Sequence, residues 1–178
     1  WVPSALSIVA NSKVFDYIVP KYLKKVLFAG EVMPMPQLNI WRKYLPNIIY
    51  ANLYGPTETT DICAYYVVNR EFKDNQTLPI GNSCDNLEVL IITENNKQAD
   101  KDEVGEIYVR GSFVGNGYYN NYEKTNLAFV QNPLNNNYPE IVYKTGDLGR
   151  INKYGEIEYF GRKDFQIKHM GYRIELGE

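Results

Sequence analysis

Over the first 60 residues, helix-like and strand-like spacings of apolar side chains alternate. Behind Pro3-Ser4, the residues Leu6, Val9, Ala10 and Val14 recur at helical intervals and predict a helix over 3–16. The run Lys25-Val-Leu-Phe-Ala29, closed by Gly30, predicts a buried strand. Pro36 to Tyr44 predicts an amphipathic helix with Leu38, Trp41 and Leu45 inward. Ile48 to Ala51 predicts a second buried strand running into Leu53-Tyr54-Gly55. Strand, helix and strand in that order form a βαβ unit, hence a parallel sheet.

After Asp61 the spacing changes. Residues 64–68, 87–92, 105–110 and 155–160 read as strands separated by Gly, Asn, Asp and Pro turns, and only 123–129 reads as a helix. Short strands at this spacing predict a small antiparallel barrel. A shift in composition near residues 70–80 marks a border. The fold class expected is therefore α/β plus β, a partial βαβ subdomain over 1–75 followed by a distorted β-barrel over 76–163. The chain opens at Trp1 and ends within an amphipathic hairpin turning at Gly171, which reads as an excerpt of a longer protein.

Composition narrows the function. Of the 178 residues, 44% are hydrophobic and 22% charged, proportions that favour a packed core over disorder. Nineteen Lys and Arg against 21 Asp and Glu leave a net charge of −2, which argues against a nucleic-acid binder. No apolar run approaches the roughly 20 residues of a membrane span. Two cysteines outside any CxxC spacing and one histidine argue against a zinc site or a disulfide framework, and point to a reduced, cytoplasmic setting. The 16 Tyr and the Asn135-Asn136-Asn137 cluster read as surface bias among ordinary apolar runs.

The polar string Asn52-Leu-Tyr-Gly-Pro-Thr-Glu58 falls where a parallel strand ends, the edge at which open α/β sheets bind ligands. An amide can read a base edge, a ring can stack on it, a hydroxyl can hold a phosphate oxygen and a carboxylate can hold Mg²⁺. The structural alternative is a strand-to-helix turn with Thr57 as N-cap. In Lys144-Thr-Gly-Asp147, the two carboxylate oxygens of Asp147 suit a cis-diol such as ribose; the alternative is a hairpin turn with Gly146 left-handed. Arg162, in Gly161-Arg-Lys-Asp164, can reach phosphate or ribose, or belong to a surface charge run. The glycines at 105, 111, 115 and 117 read better as strand and turn positions than as a phosphate loop. Glu31 and Asp61 stand near the same edge, with helix N-terminal carboxylates facing water as the plainer reading. His169 reads as an exposed strand histidine, and Cys63 and Cys84 as small buried hydrophobes.

Taken in order, these strings resemble the core motifs of the adenylate-forming (AMP-binding) ligase superfamily, in its branch of amino-acid adenylation domains and D-alanine–carrier protein ligases. The matching strings are Phe28-Ala-Gly-Glu31, Asn52 to Glu58, Gly105-Glu-Ile-Tyr-Val-Arg-Gly111 with Gly117-Tyr118, Tyr143 to Leu148, and Gly161 to Lys168 continuing to Glu178. Together they span essentially the whole chain.

The resemblance implies residue roles. Asn52 would contact adenine, Tyr54 would stack on it, and Gly55 would turn the loop. Thr57 would hold the α-phosphate, Glu58 would bind Mg²⁺, and Asp147 would accept the ribose hydroxyls beside Arg162 and Tyr159. Leu27, Ala29, Leu53, Asp61 and Ile62 would line the acyl pocket, and Asp164 would be the hinge to a C-terminal domain starting within 164–178. The implied reaction joins a carboxylate, such as an amino acid, to the α-phosphate of ATP. The acyl group then passes to the phosphopantetheine thiol of an acyl or peptidyl carrier protein. D-alanine ligases commonly carry Cys where Ala29 stands, and the smaller residue leaves room for a larger substrate. The family's Ser/Thr/Gly-rich phosphate loop, its ammonium-binding aspartate and its C-terminal lysine are not among the 178 residues, so this chain alone is expected to be inactive. Two alternatives are an aryl- or fatty-acid-activating relative and a non-catalytic β-rich interaction module.

Overall fold

The computed structural model describes residues 1–163, together with Gln166–His169 and Tyr172–Glu175 as backbone strands. Two compact units emerge. One is built from Trp1–Leu53 and Tyr66–Pro79, the other from Tyr54–Tyr65 and the run that begins at Ile80.

In the first unit, helix α1 (Pro3–Asn11) begins with Pro3 at its first position, where a missing N–H costs nothing. Its N-cap residue Val2 offers no side-chain acceptor, and Oε2 of Glu31 accepts from the Ser4 amide at 2.9 Å instead. The helix stops five residues short of the expected Asp16. Ser12 Oγ donates back to the Val9 carbonyl at 2.8 Å, and Lys13 turns left-handed at φ 58°. A 3₁₀ turn over Val14–Asp16 then buries Phe15 edge-on against Trp41, with ring centroids 4.8 Å apart.

Strand β1 (Lys25–Ala29), helix α2 (Met35–Tyr44) and strand β2 (Ile49–Tyr54) form the expected βαβ unit. The strands run parallel, from Lys25 opposite Ile49 to Ala29 opposite Leu53. Helix α2 buries Met35, Leu38 and Trp41 on one face, and the Trp41 indole N–H is satisfied by the Leu6 carbonyl at 2.9 Å. Phe28 and Leu38 have no exposed surface. Fully burying a side chain of this size stabilises by about 1.5–3 kcal/mol.

The chain passes between units inside its strands, at Leu53–Tyr54 in β2 and at Tyr65–Tyr66 in β3 (Ala64–Val67). In the second unit, Ala64 and Tyr65 of β3 pair antiparallel with β4 (Asn82–Ser83). The larger sheet contains β5 (Leu87–Ile92), β6 (Gly105–Gly111), β7 (Phe129–Gln131), β8 (Ile141–Ile151) and β9 (Ile157–Arg162). Every pairing in it is antiparallel, in the order β5-β6-β8-β7 with β9 also on β8.

This open sheet corrects the expected barrel: among the described residues it does not close. The long strand β8 carries β7 beside its first residues and β9 beside its last, so the sheet branches there. Strand spacing along the sequence counts strands but does not reveal which edges pair. Strand β6 lies at the centre, with Gly105 to Val109 all buried. Helix α3 (Tyr122–Ala128) is capped by Asn121, whose side chain accepts from the Lys124 amide at 3.0 Å.

At the C-terminal end, β10 (Gln166–His169) and β11 (Tyr172–Glu175) form the expected antiparallel hairpin. Gly171 and Asp164, the expected turn and hinge, lie outside the described residues.

Candidate functional site

The second unit is organised around a bulge in β8. Lys144 pairs with Tyr108 and Leu148 with Glu106, so Thr145, Gly146 and Asp147 all face the single residue Ile107. The bulge replaces the hairpin turn considered for this string. Gly146 takes a positive φ of 75°, which suits a residue without Cβ. Side chains satisfy the backbone groups that the ladder loses. Thr145 Oγ1 donates to the Ile107 carbonyl at 2.7 Å and accepts from the Asp147 amide at 3.0 Å, while the Gly146 amide donates to Oε1 of Glu106 at 3.2 Å.

The bulge presents Asp147, 2% exposed, to residues from two other strands. Arg162, its register partner on β9, donates from a terminal guanidinium nitrogen to Oδ1 at 2.9 Å. That guanidinium is itself mostly buried, which excludes the surface charge run. Tyr54, at the end of β2, donates its hydroxyl to Oδ2 at 2.5 Å. The ring of Tyr159 lies beside that of Tyr54, with centroids 6.4 Å apart and planes tilted by 44°. Burial, followed by the charge of Asp147, holds the Tyr54 phenol well above its ordinary range, so it remains a proton donor. Burial also pushes the Cys63 thiol up to about 12, in keeping with a small buried hydrophobe; Cys84 is partly exposed.

The loop after Tyr54 turns at Gly55 by close packing. A Cβ there would meet the Asp61 carbonyl oxygen at 1.8 Å. Thr57 begins a 3₁₀ turn (Thr57–Thr59) and is exposed; the residue in the N-cap place is Pro56, which corrects that alternative. Glu58 points to a different neighbour from Asp147. Its Oε1 accepts from the Tyr118 hydroxyl at 2.6 Å, and its carbonyl accepts from the Gly115 amide at 2.8 Å. Tyr118 is braced edge-on by Phe129, and its amide donates to Thr125 Oγ1. Asp61 is exposed at φ 78° and so carries no burial cost, while Ile62 is half-buried.

The remaining expected site residues belong to the first unit. Asn52 is buried, and its amide donates to the Pro79 carbonyl at 2.9 Å. Leu27 and Ala29 alternate with the buried Phe28, and Leu53 is the register partner of Ala29, so these three share one sheet face. Glu31 caps α1, a helix N-terminal carboxylate as the plainer reading has it, although the helix is the preceding one.

The structure thus gathers Tyr54, Asp147, Tyr159 and Arg162 into one cluster and gives Glu58 its own support. Sequence reading missed Thr145, Glu106 and Tyr118 as supporting residues. Their signal is faint: Tyr143, Thr145, Asp147 and Gly149 alternate inward along β8, but two of the four are polar.

Comparison with known proteins bears on this cluster. The profile of the family described as AMP-binding enzyme matches residues 1–119. Gramicidin S synthase 2 of Brevibacillus brevis is 37% identical over 175 residues, covering 97% of this chain and 4% of that protein. Zwittermicin A synthase ZmaJ of Bacillus cereus is 37% identical over 162 residues, covering 89% of this chain and 30% of its own length. Among solved structures, holo-PA1221, an NRPS protein containing adenylation and PCP domains, superposes with a TM-score of 0.83 at 27% identity. The alignment covers 99% of this chain and 34% of that one. IdnL1 gives a TM-score of 0.83 at 29% identity, over 99% of this chain and 36% of the other. This chain therefore spans a minor part of the length of each relative. With the motif strings from Phe28 to Arg162 in order and this profile across residues 1–119, the chain belongs to the AMP-binding enzyme family.

Proposed function

We propose that this chain supplies the nucleotide-holding part of an ATP-dependent ligase that activates an amino acid as its acyl-adenylate and passes it to a carrier-protein thiol. The observation that carries this reading is the buried Asp147 carboxylate, oriented by Tyr54 and Arg162 beside the Tyr159 ring. A carboxylate accepts at two oxygens, the acceptor type that suits the vicinal hydroxyls of a ribose. Asn52, Tyr54, Gly55, Thr57, Asp147, Tyr159 and Arg162 are the proposed nucleotide contacts. The exposed hydroxyl of Thr57 is available to a phosphate oxygen.

A carboxylate approaching a phosphate meets like charge. At about 4 Å two unit charges repel by roughly 4 kcal/mol at an effective dielectric near 20. Donors such as Thr57 would offset part of that repulsion. Glu58, a hard oxygen ligand held by Tyr118, suits Mg²⁺, which commonly takes one or two carboxylates and completes its shell with substrate phosphates. When bound, Mg²⁺ would neutralise phosphate charge.

The peptide-synthetase relatives support an amino acid over an aryl or fatty acid. By the family resemblance Leu27, Ala29, Leu53, Asp61 and Ile62 are the proposed acyl-pocket residues; the first three share a sheet face, D-alanine is among the candidate substrates, and Ala29 leaves room for larger ones. A carrier protein is the proposed acceptor, Asp164 the proposed hinge, and the cytoplasm the proposed setting. No helix among the described residues is long and apolar enough to cross a membrane. A degenerate, non-catalytic module would be expected to lose its polar groups first, and Thr57, Glu58, Asp147 and Arg162 are all present.

The test is amino-acid-dependent ATP–pyrophosphate exchange by the full-length polypeptide. Exchange should fall at least tenfold in Asp147→Asn, and Asp61→Ala should change which amino acids support it. Absence of exchange with every amino acid, alongside exchange with aryl or fatty acids, would move the assignment to that branch.

A further inference from the structure

Glu106 is a buried carboxylate that the proposed chemistry does not use. It is 7% exposed and sits on the central strand β6. Its Oε1 accepts from the amide of Gly146, the residue before Asp147. Its Oε2 lies 3.6 Å from Nζ of Lys163, the residue after Arg162, and 3.9 Å from Nζ of Lys144. The Lys163 amide in turn donates to the Gly146 carbonyl at 2.8 Å. One carboxylate therefore ties the residue preceding Asp147 to the residue following its ion-pair partner.

A buried carboxylate is costly unless its oxygens are met by donors or cations. Here those partners all lie on the two segments that meet at the Asp147–Arg162 pair. Gly146 is also the left-handed residue of the bulge, at φ 75°. The Glu106 acceptor on the Gly146 amide acts together with the Lys163 amide on the Gly146 carbonyl and the Thr145 hydroxyl on the Asp147 amide, and of the three it alone reaches both segments through one side chain.

We infer that Glu106 is a positioning residue for diol recognition: through Gly146 and Lys163 it sets the direction in which Asp147 presents its oxygens to a vicinal diol. This rests on the nucleotide reading above and adds a residue to it. Glu106→Gln keeps an oxygen for the Gly146 amide but loses the charge facing the two lysines. Glu106→Ala loses both.

The experiment is calorimetric titration of the full-length polypeptide with AMP and with 2′,3′-dideoxy-AMP, which lacks the diol. The unaltered protein should prefer AMP. Glu106→Ala should lose roughly tenfold in AMP affinity, the scale of a misaligned hydrogen bond to a charged group, with dideoxy-AMP affinity unchanged. Glu106→Gln should recover most of the preference. If Glu106→Ala does not fold, Lys163→Met takes its place and should show a smaller loss confined to AMP. Equal weakening for both nucleotides, or an unchanged preference for AMP, overturns the inference. If the unaltered protein itself fails to distinguish the two nucleotides, the ribose role of Asp147 has failed instead.

Discussion

The Tyr54 hydroxyl donates to Oδ2 of Asp147 at 2.5 Å, joining positions 93 residues apart in sequence. Arg162 holds the other oxygen, so the carboxylate plane is fixed from both sides. Such preorganisation is useful for reading a pair of hydroxyls whose spacing is itself rigid. The same arrangement makes the site sensitive to single-atom changes.

Tyr54→Phe removes one donor and keeps the ring. A hydrogen bond to a charged partner contributes about 1.5–3 kcal/mol, and equilibrium urea unfolding should show a loss of that order. AMP should bind more weakly, because Asp147 loses an orienting partner. If stability and affinity both stay at their original values, the 2.5 Å contact does not persist in solution.

Gly55→Ala should damage the loop before it damages anything else. The new methyl would lie 1.8 Å from a backbone oxygen at Asp61, so the backbone itself must shift. Overpacking of this kind costs about 1–3 kcal/mol, readable as a lowered urea midpoint. An Ala variant as stable as the original would mean that the segment from Gly55 to Asp61 is not packed as described.

Tyr118→Phe leaves Glu58 without the 2.6 Å donor on Oε1. Residues that orient a metal ligand typically change metal affinity by 10–100-fold when altered, so the Mg²⁺ concentration for half-maximal pyrophosphate exchange should rise by about that range. ATP affinity at saturating Mg²⁺ should change little. An unaltered Mg²⁺ requirement would separate Tyr118 from the metal site.

Alkaline stability should depend on Cys63. Its folded thiol is pushed up to about 12 from 9.0, chiefly by burial, so the fold favours the protonated form. That contribution is complete below about pH 9 and is lost as pH rises toward about 12, because the unfolded thiol ionises first. The Tyr54 phenol, raised for the same reason, acts in the same direction. Urea midpoints should fall between about pH 8 and about pH 10.5, and the fall should be shallower in Cys63→Ala. Thiol-labelling reagents should modify Cys84 well before Cys63.

Local signals were legible where one segment buries one face. Strands β1 and β5 have the bounds that their apolar runs predict, and α2 turns Leu38 and Trp41 inward as its spacing requires. Helix α1 was overextended because a back-bonding Ser12 and a left-handed Lys13 ended it while the apolar spacing continued. Strand β8 was hidden because its inward positions include Thr145 and Asp147, whose burial depends on partners brought by other strands.

The order of the polar strings, their residue types and the βαβ pattern were properties of the sequence alone, because they depend on local spacing and side-chain chemistry. The family follows from them. Which groups meet was decided by tertiary structure: an open sheet in place of a barrel, a bulge that aims Asp147 at Tyr54 and Arg162, and a separate support for Glu58 on Tyr118. The physical reason is that a buried carboxylate is tolerated only where distant strands deliver its donors, and a strand's sequence does not name the neighbours it will receive.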